Sequence, residues 1–180
     1  MFSLKLLQVI WFIALFGLAN MAPVFFKKIP ILSEPIDRGK TWRGKRIFGD
    51  NKTWRGVIAA ILVGFLFFLL QRYLFSRWDI FKTISITNYL ALPWFFGALV
   101  GAGAIAGDLL KSFFKRRLNI PSGQPWIPFD QVDYLLGGLL AGLPFYKPGL
   151  IELILIIALG FILHLLFKFF GFILKINKAI

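Results

Sequence analysis

The stretch GALVGAGAIAGDLLKSFFKRR, residues 97–117, leads directly from an apolar run into a cluster of charged side chains. Its apolar half contains two small-xxx-small pairs, Gly97/Gly101 and Gly103/Gly107. Small residues at this spacing let the backbone of a second helix approach closely, so we favour a packing face over a substrate groove. The stretch therefore predicts a transmembrane helix that packs against others and ends in a polar segment.

Four further apolar runs accompany this one. The chain of 180 residues is 58% hydrophobic and contains 22 Phe and 6 Trp, whereas about half is usual for a soluble domain. Because a helix needs about 20 mostly apolar residues to cross the hydrocarbon layer, we predict an all-α polytopic membrane protein of one domain, residues 1–180, with about five transmembrane helices. The fourth run is short, so we expect it to be tilted or partly buried in protein. The expected spans are residues 4–26, 57–75, 88–106, 132–146 and 150–173.

The first apolar run has Lys5 at its start, as a secretory signal would. Its apolar stretch is longer than a signal core of roughly 7–15 residues. We therefore expect it to be retained as a membrane span.

Charge predicts how the bundle is oriented. Two polar segments, residues 27–56 and 107–133, hold six of the eight acidic residues. With five spans, the loops 27–56 and 107–131 and the C-terminus share one side, which carries sixteen of the 21 Lys and Arg residues. The positive-inside rule places that side in the cytoplasm, with the N-terminus outside the cell membrane. If the two polar segments did not meet, the span count would be in error.

The formal net charge of +13 lies mainly in loops between apolar runs. Anionic headgroups, phosphate substrates and topology signals account for that pattern better than nucleic acid does. Cysteine is absent, which excludes a disulfide framework and a thiolate metal site.

The second polar segment contains acids beside cations. If it continues the helix of the third span, Asp108, Ser112 and Lys115 lie on one face. Asp130 and Asp133 follow one turn apart at the start of the fourth helix, where two carboxylates can share Mg²⁺. The alternative is that Asp130 caps that helix and Asp133 favours its positive end. Because Asp133 runs into an apolar span, where an acid is costly, we favour a metal role for the pair.

Cations complete a phosphate site in this interpretation. The cluster Lys115-Arg116-Arg117 alone would anchor the third span, but its position between the acids favours phosphate binding. In the first segment, Gly49-Asp50-Asn51-Lys52-Thr53 can surround a phosphate with backbone N–H groups, and Arg55 adds charge. A basic interfacial loop is an equal alternative for this segment. Gly39-Lys40-Thr41 is not part of a P-loop, because Glu34 stands where that motif requires glycine.

His164 is the only histidine and lies within the last apolar run. A packed or hydrogen-bonded histidine is more common at such a position than a proton relay. We therefore expect a structural role for it.

These residues resemble the signature of the membrane CTP:phosphatidate cytidylyltransferase superfamily, Ser-x-x-Lys-Arg followed by Asp-x-x-Asp. The chain is most similar to the archaeal-type branch, the CDP-archaeol synthases, over almost its whole length. The motifs that carry the match are Asn20-x-x-Pro23, Pro35-Ile36-Asp37-x-Gly39, Ile47-Phe48-Gly49-Asp50-Asn51-Lys52-Thr53-Trp54-Arg55-Gly56, Gly107-Asp108, Ser112-Phe113-x-Lys115-Arg116-Arg117 and Asp130-Gln131-x-Asp133. A Lys-Asp pair and a Pro-Gly-His-Gly-Gly stretch of the bacterial and eukaryotic branch are replaced by Pro121-Ser122-Gly123 and Trp126-Ile127-Pro128-Phe129, so one metal-binding acid of that branch is missing.

The resemblance implies that CTP and a membrane lipid phosphate react to give a CDP-lipid and pyrophosphate, with Mg²⁺ as cofactor. It implies ether-linked isoprenoid tails, while an ester phosphatidate remains an alternative substrate. We expect the two tails to lie against the Gly-rich third span. The candidate catalytic residues are Asp108, Lys115, Asp130 and Asp133. The candidate metal ligands are Asp108, Asp130 and Asp133. The candidate substrate-binding residues are Asn51, Lys52, Thr53, Arg55, Ser112, Arg116 and Arg117.

Two other functions remain open. A non-enzymatic scaffold would bind anionic lipid without Mg²⁺ and would give the acids no role. A CDP-alcohol phosphotransferase is disfavoured because its Asp-Gly-x-x-Ala-Arg motif is absent. The expected partners are CTP, the lipid phosphate and the bilayer, and the Gly-rich faces make a homodimer an additional expectation.

Overall fold

The computed structural model of the chain describes residues 2–121 and 124–173. Ser122 and Gly123 of the expected loop, and Lys175 and Lys178 of the basic C-terminus, lie outside the described residues. The described chain forms an all-α bundle, as the sequence predicts, and it also contains one small β-hairpin that was not predicted. The elements are α1 (Phe2–Phe25) with a 3-10 turn (Phe26–Lys28), β1 (Thr41–Trp42), β2 (Lys45–Arg46), α2 (Trp54–Arg77), α3 (Asp79–Thr83), α4 (Phe96–Arg117), α5 (Phe129–Gly142) and α6 (Leu150–Ile173).

Within the described residues, four helices are long and apolar enough to cross a membrane: α1 with its 3-10 turn, α2, α4 and α6. The fourth expected span corresponds to α5, which has 14 residues and is therefore only about 21 Å long. Leu135 and Leu139 on this helix are buried in the core. The short fourth run is thus partly buried in protein.

Helix α4 differs from the expected span 88–106 at both ends. It begins at Phe96, because Pro93 and the preceding turns stop a helix from starting earlier. The Arg72 side chain donates from Nη1 to the carbonyl oxygens of Tyr89 (2.9 Å) and Leu92, which satisfies backbone groups of those turns. At its other end α4 continues through the charged segment, as expected.

The core lies where α1, α4, α5 and α6 meet. Helix α1 contributes much of it, so the first apolar run is part of the bundle. Side chains of these helices and of α2 interdigitate there, and each is nearly inaccessible. The most buried core residues include Val9, Phe12, Leu15, Phe16, Phe68, Phe96, Val100, Leu135 and Ile156.

The glycines of α4 are contact points between helix backbones. A Cβ atom on Gly97 would lie 2.3 Å from the Gly64 carbonyl oxygen of α2, and one on Gly103 would lie 2.4 Å from the Gly137 carbonyl oxygen of α5. At Gly107 the distance to the Asp133 carbonyl oxygen would be 2.2 Å. These faces are filled by α2 and α5, which confirms helix packing.

The same contacts correct one expectation. The lipid tails cannot lie against the Gly-rich face of the third span, because the backbones of α2 and α5 occupy that face. A homodimer was expected to form through the Gly-rich faces. Within one chain, α2 and α5 already pack against the small-residue faces of α4.

Candidate active site

The two polar segments meet around a cavity of about 560 Å³. The meeting confirms that both segments lie at the same end of the bundle. Nine of the eleven candidate catalytic, metal-binding and substrate-binding residues line this cavity. They are Asn51, Lys52, Thr53, Arg55, Asp108, Ser112, Lys115, Arg116 and Asp130.

Three carboxylates converge on one ammonium group in the wall of this cavity. The Nζ atom of Lys111 lies 2.9 Å from Oδ1 of Asp108, 3.2 Å from Oδ1 of Asp130 and 2.7 Å from Oδ2 of Asp133. All four side chains are largely buried, with at most 14% of any of them exposed. Lys111 was not among the predicted site residues, although its position three residues after Asp108 places it on the same helix face.

Two more lysines pair with the acids that line the cavity. Lys52, from the first polar segment, bonds to Asp108 of the second. The Nζ atom of Lys115 lies 3.1 Å from both carboxylate oxygens of Asp130 and also donates to the carbonyl oxygen of Gln124. The predicted proximity of these residues is therefore observed.

Asp133 occupies a different layer of the site. It is not among the residues that line the cavity, and it reaches the cavity wall through Lys111. Its Oδ1 atom accepts a hydrogen bond from the backbone N–H of Tyr134 at 2.8 Å. Asp133 thus lies behind Lys111, while Asp108 and Asp130 face the cavity.

The cavity as a whole attracts anions. Seven cationic side chains and three acidic side chains line it. Such an excess of positive charge beside partly buried walls raises the local concentration of anionic ligands. The cationic residues are Lys27, Lys52, Arg55, Lys111, Lys115, Arg116 and Lys168, and the acidic residues are Asp50, Asp108 and Asp130.

The acids also have the chemistry to hold a hard divalent cation, since carboxylate oxygens are its preferred ligands. In the described residues, no three acidic or histidine side chains form a ready metal cluster. Instead, the Lys111 ammonium lies within 3.2 Å of all three carboxylates. The acids fit the cation in number and type, with Lys111 as the group that competes for them.

Asp37 organises the loop that carries Lys52. Its carboxylate has no exposed surface and accepts hydrogen bonds from the backbone N–H groups of Phe48 and Gly49, each at 2.9 Å. Arg46 Nη2 donates to it at 2.6 Å. Burial alone would raise the pKa of Asp37, but the bonds from Arg46 and the backbone hold that pKa well below its usual value. Gly49 permits this arrangement, because its φ of 102° suits glycine.

Arg117 lies outside the cavity lining and holds the hairpin against α4. Its Nη1 and Nη2 atoms donate to the carbonyl oxygens of Trp42 (2.9 Å) and Lys45 (3.1 Å). Its guanidinium carbon lies 4.8 Å from the ring centre of Phe113. The hairpin turns at Arg43 and Gly44, both at positive φ, as a type I′ turn requires.

The substrate candidates at the start of α2 also have structural contacts. Thr53 caps the helix, since its hydroxyl accepts a hydrogen bond from the Gly56 N–H at 3.2 Å. Arg55 donates to the carbonyl oxygen of Ile29. Both side chains still line the cavity, so each position combines a structural contact with access to a ligand.

A second cavity of about 330 Å³ lies between α1 and α6 and is mainly apolar. Phe25 and Phe167 on its wall are more than half exposed, so this cavity is at the face of the bundle that meets lipid. Tyr134 of α5 forms its inner wall, and the Tyr134 ring packs 5.9 Å from the ring of His164. His164 is therefore a packed histidine, as expected, but it also borders both cavities.

The family model for CarS-like CDP-archaeol synthases matches residues 1–180. The chain belongs to the CDP-archaeol synthase family. The CDP-archaeol synthase of Pyrococcus furiosus is 35% identical over 160 residues, which are 88% of each chain. That of Pyrococcus abyssi is 33% identical over 169 residues, 93% of this chain and 94% of the relative.

A solved structure supports the CDP-archaeol synthase assignment at the level of the fold. It is that of an intramembrane enzyme for the biosynthesis of archaeal membrane lipids, with a TM-score of 0.70 and 26% sequence identity. The match covers 91% of this chain and 94% of that one. The family resemblance read from the sequence motifs is thus confirmed, and so is a multi-pass membrane architecture.

Proposed function

We propose that this protein transfers the cytidylyl group of CTP to an archaeal lipid phosphate, which gives CDP-archaeol and pyrophosphate. Membership of the CDP-archaeol synthase family over the whole chain is the observation that carries this proposal. The cavities suit it, because a cationic chamber for a triphosphate adjoins an apolar chamber that faces lipid.

The chemistry places modest demands on the protein. An oxygen of the lipid phosphate attacks the α-phosphorus of CTP, the bond from that phosphorus to the bridging oxygen breaks, and pyrophosphate leaves. The nucleophile is already an anion, so no strong base is required. What the protein supplies is in-line placement of the reactants and stabilisation of negative charge.

The cations that face the cavity provide this stabilisation in our proposal. Lys115 and Arg116 on α4 would bind the triphosphate from one wall, and Lys52 and Arg55 would bind it from the first polar segment. Asn51, Thr53 and Ser112 add uncharged hydrogen-bonding groups to the same surface.

We propose Mg²⁺ as the cofactor and Asp108 and Asp130 as the cavity-facing carboxylates that would hold it, with Asp133 as the third acid. Bound Mg²⁺ neutralises triphosphate charge and orients the phosphoryl groups. The convergence of these acids on Lys111 supports the proposal, since their arrangement already accommodates one positive charge.

The lipid tails would enter the apolar cavity between α1 and α6. This location replaces the Gly-rich third span, whose surface is filled. Because the walls of this cavity are exposed on the lipid-facing side, the parts of the tails that exceed its volume would remain in the bilayer.

We further propose that the cavity opens to the cytoplasm, where CTP is available, and that the N-terminus is outside. The concentration of Lys and Arg around the two polar segments supports this orientation.

A micelle assay with radiolabelled CTP, Mg²⁺ and purified protein tests the function. Label should enter the lipid with 2,3-bis-O-geranylgeranylglyceryl phosphate as acceptor and should enter it less with ester phosphatidate. Label in neither lipid, from protein that unfolds cooperatively on heating, would favour the scaffold alternative.

A further inference from the structure

The proposed lipid substrate has two chemically different parts, its tails and its nucleophilic phosphate. Its tails are apolar, whereas its phosphate must reach the α-phosphorus of CTP in the cationic cavity. If the proposed function holds, the lipid phosphate must therefore lie where the apolar and cationic cavities meet. The residues common to both cavities mark that junction.

Four residues line both cavities: Asn20, Val24, His164 and Lys168. Lys168 is the only cation among them. It follows His164 by four residues on α6, so the two side chains lie on the same helix face, with Asn20 of α1 also at the junction. The junction thus contains one positive charge and two further hydrogen-bonding side chains.

The surroundings of Lys168 differ from those of the lysines deeper in the site. Lys52, Lys111 and Lys115 each pair with an aspartate. Among residues 2–121 and 124–173, no carboxylate lies within 4.0 Å of the Lys168 ammonium. Its charge is therefore available to an anionic ligand.

A lysine on this helix also requires an explanation. Helix α6 is the most apolar of the long helices, with a mean hydropathy of 2.7 over an 18-residue stretch, and Lys168 lies near the C-terminal end of this helix. At such a position a long lysine side chain can extend to the headgroups instead of toward the bundle. The side chain is partly buried and borders the cavities instead of extending freely into lipid.

We infer that Lys168 binds the phosphate of the lipid substrate at the junction of the two cavities, with His164 and Asn20 as its hydrogen-bonding neighbours. The inference rests on the proposed function and extends it to a residue outside the sequence motifs. Lys168 would hold the nucleophile at the mouth of the cationic cavity, while the cations of α4 bind CTP.

The test compares Lys168→Met, which keeps an apolar stem, with Lys168→Arg, which keeps the charge. Lys40→Gln serves as the control, because Lys40 carries the same charge on an exposed loop at the same end of the bundle and does not line either cavity. Initial rates are measured over a range of lipid phosphate mole fractions in micelles at saturating CTP, and then over a range of CTP concentrations.

We expect Lys168→Met to raise the KM for lipid phosphate about tenfold or more, as loss of a charge-assisted bond does. The KM for CTP should change less than about twofold, and Lys168→Arg should recover most of the lipid affinity. An unchanged KM for lipid phosphate, or an equal rise in both KM values, would overturn the inference.

A binding measurement separates this inference from the proposed function. Tryptophan fluorescence is followed while lipid phosphate, or the matching dialkylglycerol without phosphate, is added in the absence of CTP. Lys168→Met should lose the preference for the phosphorylated lipid that the wild type shows. If the wild type binds the phosphorylated lipid through Lys168 but transfers no cytidylyl group, the proposed function fails and the site assignment stands. If the wild type shows no preference, the site assignment fails.

Discussion

Replacement of Lys111 by methionine tests how the three acids of the site are held. The substitution removes an ammonium that lies 2.7–3.2 Å from three carboxylates and leaves a side chain of similar length. Removal of one partner from a buried ion pair costs about 3–5 kcal/mol, because the remaining charge is left uncompensated. Lys52 still pairs with Asp108, and Lys115 still pairs with Asp130.

Asp133 is therefore the acid that loses its counter-charge in Lys111→Met, and we expect a loss at the lower end, about 3 kcal/mol. The double variant Lys111→Met/Asp133→Asn should recover a large part of it. Millimolar Mg²⁺ should stabilise Lys111→Met more than the wild type, because the three carboxylates no longer have the ammonium between them.

The chain offers a matched control for burial. Asp79 and Lys82 have the same i, i+3 spacing and nearly the same N–O distance as Asp108 and Lys111, 2.8 Å against 2.9 Å. Both are exposed, however, with 93% and 50% of their side-chain surface accessible. Exposed pairs contribute at most about 1 kcal/mol, so Lys82→Met should cost no more than that.

The measurement is reversible unfolding in mixed micelles of dodecyl maltoside and SDS, followed by tryptophan fluorescence. The wild type, Lys111→Met and Lys82→Met are compared in chelator and then in Mg²⁺. If Lys111→Met loses no more stability than Lys82→Met, the three carboxylates do not depend on Lys111, and our account of the site is refuted.

Three further predictions concern the loop, the helix contacts and the orientation. Asp37→Asn should weaken the loop by about 1.5–3 kcal/mol, the contribution of hydrogen bonds to a charged group, and limited proteolysis should cut it faster. The pKa of Asp37 is lowered on folding, so its stabilisation is present at neutral pH and is lost as the pH falls below the unfolded value of 3.8; the variant should lack this acid-dependent loss. Gly107→Ala should reduce cytidylyl transfer more than Gly97→Ala does, because a new Cβ at 107 meets the backbone of Asp133, whereas one at 97 meets α2 away from the site; equal activities would contradict this. Because the chain has no cysteine, single cysteines at positions 40 and 147 can be labelled in sealed inverted vesicles with a membrane-impermeant maleimide, and only Lys40→Cys should react.

Local spacing was enough to predict much of the site. The face shared by Asp108, Ser112 and Lys115 follows from helical periodicity, once α4 is taken to continue past the apolar run. The contact between Lys52 and Asp108 joins residues 56 positions apart. Periodicity cannot predict a contact between residues so far apart in the sequence. Only the expectation that both polar segments lie on one side of the membrane indicated this contact.

Lys111 is a residue of the site that was not predicted from the sequence. Its spacing from Asp108 was visible in the sequence, but Asp130 and Asp133 come from another helix, and their convergence on one ammonium depends on how closely α4 and α5 approach. That approach depends on glycine contacts such as Gly103 against Gly137.

The sequence Lys-Thr-Trp-Arg-Gly occurs twice in the chain, at residues 40–44 and 52–56, and the two copies adopt different structures. The copy at 40–44 forms one strand and the turn of the hairpin, whereas the copy at 52–56 begins α2. The difference comes from the residues immediately after each copy. Lys45-Arg46 pairs back onto the first copy, while a long apolar run continues the second as a helix capped by Thr53.

Cytidylyl transfer in this cavity can be tested with CTP labelled at either the α or the γ phosphorus. Purified protein is incubated with Mg²⁺ and the archaeal lipid phosphate, for the wild type and for Lys115→Met. We expect that α label enters the lipid, that γ label is recovered as pyrophosphate in equal amount, and that Lys115→Met loses both. Release of γ label as inorganic phosphate without α label in the lipid, or full activity of Lys115→Met, would contradict this expectation.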